Sequence, residues 1–97
     1  MVELSYIRVW WLHSSPDDPV ELWSELDPYR YEVRKVEIWA DGHVGYASAN
    51  REFGGTALGT EAVPSLEEIA ADPEFKPEVV SRSDFEERWR TSAMSNR

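Results

Sequence analysis

Cysteine is absent from the 97-residue chain, which excludes disulfide bonds, thiolate metal sites and cysteine nucleophiles. Histidine occurs only twice, and no stretch approaches the ~18 consecutive apolar residues of a membrane-spanning helix. Basic residues are also scarce, since ten Lys and Arg stand against 19 Asp and Glu and give a formal net charge of −9. Because an acidic surface repels phosphates, we expect no nucleic acid as a partner. The absence of a long apolar stretch leads us to expect no membrane either.

Apolar residues make up 41% of the chain and include five Trp, four Tyr and three Phe. This is enough for one hydrophobic core, so we expect a single domain over residues 1–90. Residues 91–97 have no apolar pattern and are expected to fray. The first residues lack the basic segment, the apolar run and the cleavage site of a signal peptide, so we expect a cytoplasmic protein.

Strand signals dominate the first half of the chain. Three segments are rich in β-branched and aromatic residues and predict strands: residues 4–13, 20–26 and 29–40. Asp41-Gly42 then predicts a two-residue type I′ hairpin into a fourth strand, because that turn requires positive φ at both central residues. This turn would pair Ile38 with Gly45. Residues 50–60 contain three glycines and are predicted to be a loop.

The third predicted strand changes its apolar register. Val33 stands at an odd position, whereas Val36 and Ile38 stand at even positions. Because side chains alternate between the faces of a sheet, one face cannot take both sets without an extra residue. The pattern therefore predicts a β-bulge near Arg34-Lys35, or else a sheet with both faces partly covered.

Two short helices are predicted in the second half. Ser65 followed by Glu68 forms a capping-box pattern, and Ser81 begins a second helix at which Val80 and Phe85 match a hydrophobic staple. The sequence therefore predicts an α+β fold. Its sheet is an antiparallel β-meander of about four strands, with one face covered by the two short C-terminal helices.

Alternation along the predicted strands assigns side chains to two faces. An apolar face, expected to pack against both helices, contains Ile7, Val9, Trp11, Leu22, Leu26, Val36, Ile38 and Ala47. The opposite, mixed face contains Tyr6, Arg8, Trp10, Glu21, Trp23, Glu25, Glu37, Trp39 and Tyr46. Exposed aromatic residues beside charges are typical of binding surfaces, so these nine residues form the predicted partner or ligand site. The alternative is a solvated face whose aromatic pairs stabilise the strands.

Evidence for catalysis is weaker. Glu25 and Glu37 are the candidates for an acid–base pair, but so small a domain rarely encloses the cleft that such a pair needs. His13 and His43 end a strand and follow a turn, and their spacing matches no metal site. The glycines near Gly54 lack the lysine of a phosphate-binding loop. We therefore expect no metal, no cofactor and no catalytic residue.

Several segments together resemble a family of small acidic bacterial domains of unknown function. The matching stretches are residues 6–13, 19–27, 31–38, 64–69 and 72–75, with Asp41-Gly42, Gly55-Thr56, Leu58-Gly59, Phe85-Glu86 and Trp89. The resemblance extends to about residue 90 and implies no activity. In size and charge alone, the chain also resembles immunity proteins that neutralise secreted bacterial toxins.

Three functions remain in order of preference. The first is a non-enzymatic acidic binding protein that captures a protein partner such as a basic toxin or enzyme, because acidic charge accelerates association with a basic partner. The second is a small-molecule binding domain that uses the aromatic-rich sheet face as a pocket wall. The third is a small enzyme that uses Glu25, Glu37 or His13. A homodimer formed through the mixed face would instead indicate a structural role.

Overall fold

The computed structural model describes residues 3–94. The strands and helices in this part of the chain are, in order, β1 (Ser5–Trp11), β2 (Glu21–Leu26), β3 (Glu32–Ile38), β4 (Val44–Ser48), β5 (Arg51–Phe53), α1 (Leu66–Ala70), β6 (Phe75–Val79) and α2 (Arg82–Met94). All neighbouring strands are antiparallel, and their order in the sheet is β5-β4-β3-β2-β1-β6. The predicted α+β class is confirmed, but the sheet has six strands where about four were predicted.

The two additional strands form the edges of the sheet. β5 lies inside the predicted loop of residues 50–60, and β6 lies between the helices. The strand β6 was not predicted because it contains Pro77, and proline argues against a strand since it cannot donate a ladder hydrogen bond. Val80 N donates to Tyr6 O and Leu12 N donates to Glu74 O, so the even-numbered residues of β6 bond to β1. The nitrogen of Pro77 therefore points away from β1, and the ladder loses no bond.

The hairpin between β3 and β4 differs from the prediction by one residue. Gly42 N donates to Trp39 O, and Trp39 N donates to His43 O. Within this turn, Gly42 alone has a positive φ, of 93°. The connection is thus a three-residue loop ending in a left-handed glycine, and the predicted two-residue type I′ turn is wrong. Consequently Ile38 pairs with Val44 and not with the next residue along.

The predicted irregularity in β3 is present. Glu25 pairs with Arg34 whereas Leu26 pairs with Glu32, which leaves Val33 as an extra residue. This position is adjacent to the predicted site near Arg34. It accounts for the change from odd to even apolar positions along the strand.

The helices pack on opposite faces of the sheet. The α2 face consists of Tyr6, Trp23, Val36 and Tyr46, which form one cluster with Phe85 of α2. The α1 face is centred on Ile7, Val9 and Leu26, against which Leu66 and Ile69 of α1 pack. The expectation that both helices cover one face is therefore wrong. The reason is β6, which lies between the two helices in the chain and pairs with β1 at the edge of the sheet. The chain reaches this edge strand from one face of the sheet and leaves it toward the other.

Local hydrogen bonds explain where the helices begin. Glu68 N donates to Ser65 Oγ at 3.2 Å, and Ser65 Oγ donates to the Glu68 carboxylate at 3.1 Å, which confirms the capping box. At the second helix, Asp84 N donates to Ser81 Oγ at 3.0 Å. These bonds satisfy backbone donors that a first helical turn leaves without partners.

The C-terminal helix is longer than predicted. Val80 packs on the same cluster as Phe85, as the predicted staple requires. The helix continues to Met94, and Ser92 is buried. The predicted frayed tail is therefore helical over residues 91–94, and its remainder lies outside the described residues.

Candidate functional site

The predicted binding residues of the mixed face lie largely beneath α2. Five of the nine are at most 9% exposed: Tyr6, Glu21, Trp23, Glu25 and Tyr46. Trp10 remains 37% exposed near the edge of the sheet. The expectation of an open surface is thus wrong for most of this set, because Phe85 and Trp89 pack against it.

Arg34 compensates the negative charge of two glutamates on the α2 face. Arg34 donates to both oxygens of Glu25, at 2.7 and 2.8 Å, and to both oxygens of Glu86, at 3.0 and 2.9 Å. Tyr6 donates its hydroxyl to Glu25 at 2.9 Å. The Glu25 hydrogen bond raises the pKa of Arg34, the Arg34 hydrogen bond lowers the pKa of Glu86, and burial raises the pKa of Tyr6. Each charge is compensated within the network, so removal of one partner would leave an unpaired charge in a largely buried site.

A second arginine is held beside the tryptophans of the same face. The Arg8 guanidinium lies 5.0 Å from the Trp10 ring and 5.1 Å from the Trp23 ring, and it forms an ion pair with Glu78. Trp23 donates its indole N–H to Glu21 at 2.8 Å. Cation–π contacts and ion pairs therefore bury aromatic and charged residues together. For Trp23 and Glu21, the sequence pattern that suggested a binding surface is used for internal packing, whereas Trp10 remains exposed.

The candidate acid–base pair is not brought together. Glu25 lies on the α2 face, whereas Glu37 lies on the opposite face and accepts a hydrogen bond from Thr56 at 2.7 Å. Trp39, also predicted on the mixed face, lies just beyond β3 and donates to Asp17 O at 3.2 Å. The predicted site is therefore divided between different parts of the molecule.

Both histidines have local partners. Ser15 N donates to His13 Nδ1 at 3.0 Å, so His13 Nε2 carries the proton and donates to Pro19 O at 2.7 Å. His43 bonds to Asp41, and its backbone hydrogen bond is the main cause of the lowered pKa of that carboxyl. No cluster of three or more potential ligand residues for a metal ion occurs within residues 3–94. No helix in the same range is long and apolar enough to cross a membrane.

The α1 face contains a cavity of about 380 Å³ that the sequence did not indicate. Its apolar wall consists of Ile7, Val9, Leu22, Val63, Ile69 and Phe75. Ser24 also lines it, together with three carboxylate residues, Glu32, Glu68 and Asp72. A concave apolar wall with a few polar groups is the usual composition of a small-molecule site.

The cavity forms because α1 is too short to cover the sheet. Its five residues extend about 7.5 Å, whereas strands lie about 4.8 Å apart, so six strands span more than 20 Å. The preceding loop covers part of the remainder. Thr56 sits over Gly45, where an added Cβ would lie 2.1 Å from Thr56 Oγ1. The cavity occupies the space between this loop and α1.

A second contact holds the loop beside the cavity. Val63 N donates to Arg30 O at 2.8 Å, and the Arg30 side chain donates to Val63 O at 2.9 Å and to Pro64 O at 2.7 Å. Val63 and Pro64 both line the cavity. The wall is therefore fixed to the turn between β2 and β3 by three hydrogen bonds.

Ser24 is the unusual residue of this cavity. The residue is 6% exposed, and its hydroxyl has no hydrogen-bond partner in the described part of the chain. In the described residues the fully buried polar side-chain atoms without a partner are Arg8 Nε, Arg88 Nε and Ser92 Oγ, so the Ser24 oxygen is instead accessible from the cavity. A central strand thus presents a free hydrogen-bonding group to an apolar cavity.

The architecture defines a small α+β domain with a six-stranded antiparallel sheet between two helices. The chain belongs to a family of domains of unknown function, DUF6881, whose family model matches residues 5–94. No curated protein and no solved structure matches the chain.

Proposed function

We propose that this domain binds a small, predominantly apolar molecule in the cavity beneath α1. The observation that carries the proposal is the unpaired Ser24 hydroxyl, which lines a mainly apolar cavity of about 380 Å³ that is open to solvent. Known ligand pockets measure about 300–1,000 Å³ and combine apolar walls with a few polar groups. The ligand's apolar part would contact Ile7, Val9 and Phe75, and its polar atom would hydrogen-bond to Ser24.

Another depression, of about 660 Å³, is less suited to this role. All of its lining residues belong to α2: Arg82, Ser83, Glu86, Glu87, Trp89 and Arg90. One side of a single helix cannot surround a ligand. The cavity beneath α1 instead has walls from the sheet, a helix and a loop, so it can contact a small molecule on several sides.

The test is a titration with hexan-1-ol, followed by backbone amide chemical shifts. Shifts should concentrate in β1, β2 and α1, while α2 should change little. Ser24→Leu removes the hydroxyl and narrows the cavity, so it should weaken binding at least tenfold without unfolding the protein. Ser83→Leu, on the exposed surface of α2, is the matched control and should bind like the wild type. Absence of saturable shifts up to the solubility limit of hexan-1-ol would refute the proposal.

Capture of a basic protein partner is the second candidate function. The formal charge of −9 supports electrostatic attraction of such a partner. Trp10 and Leu12 are 37% and 52% exposed and are two positions apart, so they point to the same side of the chain. A Trp with a neighbouring apolar side chain is a suitable anchor for an interface.

The two candidates are separated by Trp10→Ala and Ser24→Leu. If the protein captures a basic partner, Trp10→Ala should abolish recovery of that partner from the native host at low salt while leaving hexan-1-ol binding intact. Ser24→Leu should have the opposite effects. Retention of the partner by Trp10→Ala would exclude this residue as its anchor.

A further inference from the structure

We infer that the ligand of the cavity beneath α1 carries a positively charged amine beside its apolar body, an inference that rests on the proposed function. Glu68 and Asp72 line the cavity and are exposed, whereas Ser24 is buried. The two carboxylates therefore mark the solvent side of the cavity, and the hydroxyl marks its inner side. A molecule in the cavity would have its apolar part against the sheet and its charged end near α1.

The carboxylates at this opening have no cation of their own. Neither Glu68 nor Asp72 forms an ion pair with any residue in the described range. Their hydrogen bonds are local: one Glu68 oxygen accepts from Ser65, and one Asp72 oxygen accepts from Glu74 N at 2.9 Å. The second oxygen of each carboxylate is therefore free to accept a hydrogen bond from an ammonium group.

The third carboxylate of the cavity behaves differently. Glu32 lies 3.4 Å from the Lys35 ammonium and accepts a hydrogen bond from Gly59 N at 2.6 Å. Its charge is thus compensated within the fold. The uncompensated negative charge of the cavity is concentrated at Glu68 and Asp72, on the side where a ligand would enter.

Ser24 provides the second, independent indication of a ligand. An acidic opening alone would be an ordinary solvated surface, but here it continues into an apolar cavity lined by Ser24, which is 6% exposed and whose hydroxyl forms no hydrogen bond within residues 3–94. Carboxylates disfavour anionic ligands, and the apolar wall disfavours strongly hydrated inorganic cations. The combination selects a protonated amine with an aliphatic or aromatic substituent.

The test compares three compounds with the same six-carbon chain: hexylamine, hexan-1-ol and hexanoate. At pH 7 hexylamine is protonated and hexanoate is ionised. We expect hexylamine to bind about two- to fivefold more tightly than hexan-1-ol, as for an ion pair near the surface. Hexanoate should bind most weakly, and 1 M NaCl should reduce the advantage of the amine.

Charge-removing variants locate the effect. The double variant Glu68→Gln/Asp72→Asn should abolish the preference for the amine, so that hexylamine and hexan-1-ol bind to this variant with equal affinity. Gln at this position still completes the capping box. Glu67→Gln is the matched control, because Glu67 is exposed on the same helix but does not line the cavity. It should retain most of the amine preference.

The outcomes separate this inference from the proposed function. If none of the three compounds binds, both fail. If hexan-1-ol binds as tightly as hexylamine, the cavity is a ligand site but the amine inference is wrong. The same conclusion follows if Glu67→Gln removes the preference as completely as Glu68→Gln/Asp72→Asn, because general surface charge would then be its source.

Discussion

The two faces of the sheet are covered by helices of different length. On the α2 face, a 13-residue helix packs over aromatic rings, arginines and glutamates, and the fold itself pairs the charges. On the α1 face, a helix of five residues and a loop cover aliphatic side chains and leave a cavity. A depression of about 480 Å³ also lies on the α2 face, but charged and polar side chains such as Arg8, Glu87 and Arg88 line it, whereas the cavity of the α1 face is mainly apolar.

This difference reverses the usual expectation about where a binding site lies. Charged and aromatic side chains on a strand suggest a surface available to partners. Here, however, the Arg34 and Arg8 guanidinium groups form ion pairs and cation–π contacts with other residues of the same chain. Long side chains can do this because their apolar stems pack while their charged ends find partners. A candidate site arises where coverage is incomplete, and coverage depends on helix length more than on strand composition.

The largest expected effect compares the packing of the two faces. Phe85→Ala should lower the free energy of unfolding by about 3–5 kcal/mol, because its fully buried ring would leave a new cavity under α2. Ile69→Ala should cost only about 1–2 kcal/mol, because Ile69 is half-buried and borders a space that already exists. Urea denaturation followed by tryptophan fluorescence measures both. Equal losses would show that the α1 face is packed as tightly as the α2 face.

A smaller effect is expected from the buried ion pair. Arg34→Met should cost about 2–4 kcal/mol, because it leaves the Glu25 carboxylate, 3% exposed, without its cation. Adding Glu25→Gln removes the stranded charge and keeps an acceptor for the Tyr6 hydroxyl. The double variant should therefore be more stable than Arg34→Met alone. Additive losses in the double-mutant cycle would contradict the pairing.

Local signals in the sequence predicted local structure. Ser65 and Glu68 specify a helix start through bonds three residues apart, and the structure contains those bonds. The shift from Val33 to Val36 likewise marked the extra residue in β3. Such features depend on neighbouring positions, so the amino-acid pattern is sufficient to find them.

Features set by distant contacts were not predictable in this way. Alternation indicates which residues of one strand share a face. The face that each helix covers depends on β6, and the sequence does not indicate this strand because Pro77 argues against a strand there. The extra residue in the turn at Gly42 moved Val44 and Tyr46 to the face opposite Glu37. The cavity at Ser24 follows from what α1 leaves uncovered, which no pattern within β2 records.

The smallest expected effect is a pH dependence on the α2 face. The hydrogen bond from Arg34 holds the pKa of Glu86 below its ordinary value. A carboxyl whose pKa is lower in the folded state stabilises the fold above its unfolded pKa of about 4.3, and this contribution is lost as the pH falls through the folded pKa. Glu86→Gln should therefore be less stable than the wild type at pH 7 and equally stable near pH 2.

The difference at pH 7 should be below about 1 kcal/mol, because the Glu86 side chain is 40% exposed and water screens the pair. Urea denaturation at pH 7, 4 and 2 measures it. Glu87→Gln is the matched control: it is the next residue of α2, its side chain is 63% exposed, and it pairs with Arg90 instead of Arg34. A Glu86→Gln difference that stays constant or grows on acidification would show that Glu86 acts through packing, and the charge network of the α2 face would then reduce to Arg34 and Glu25.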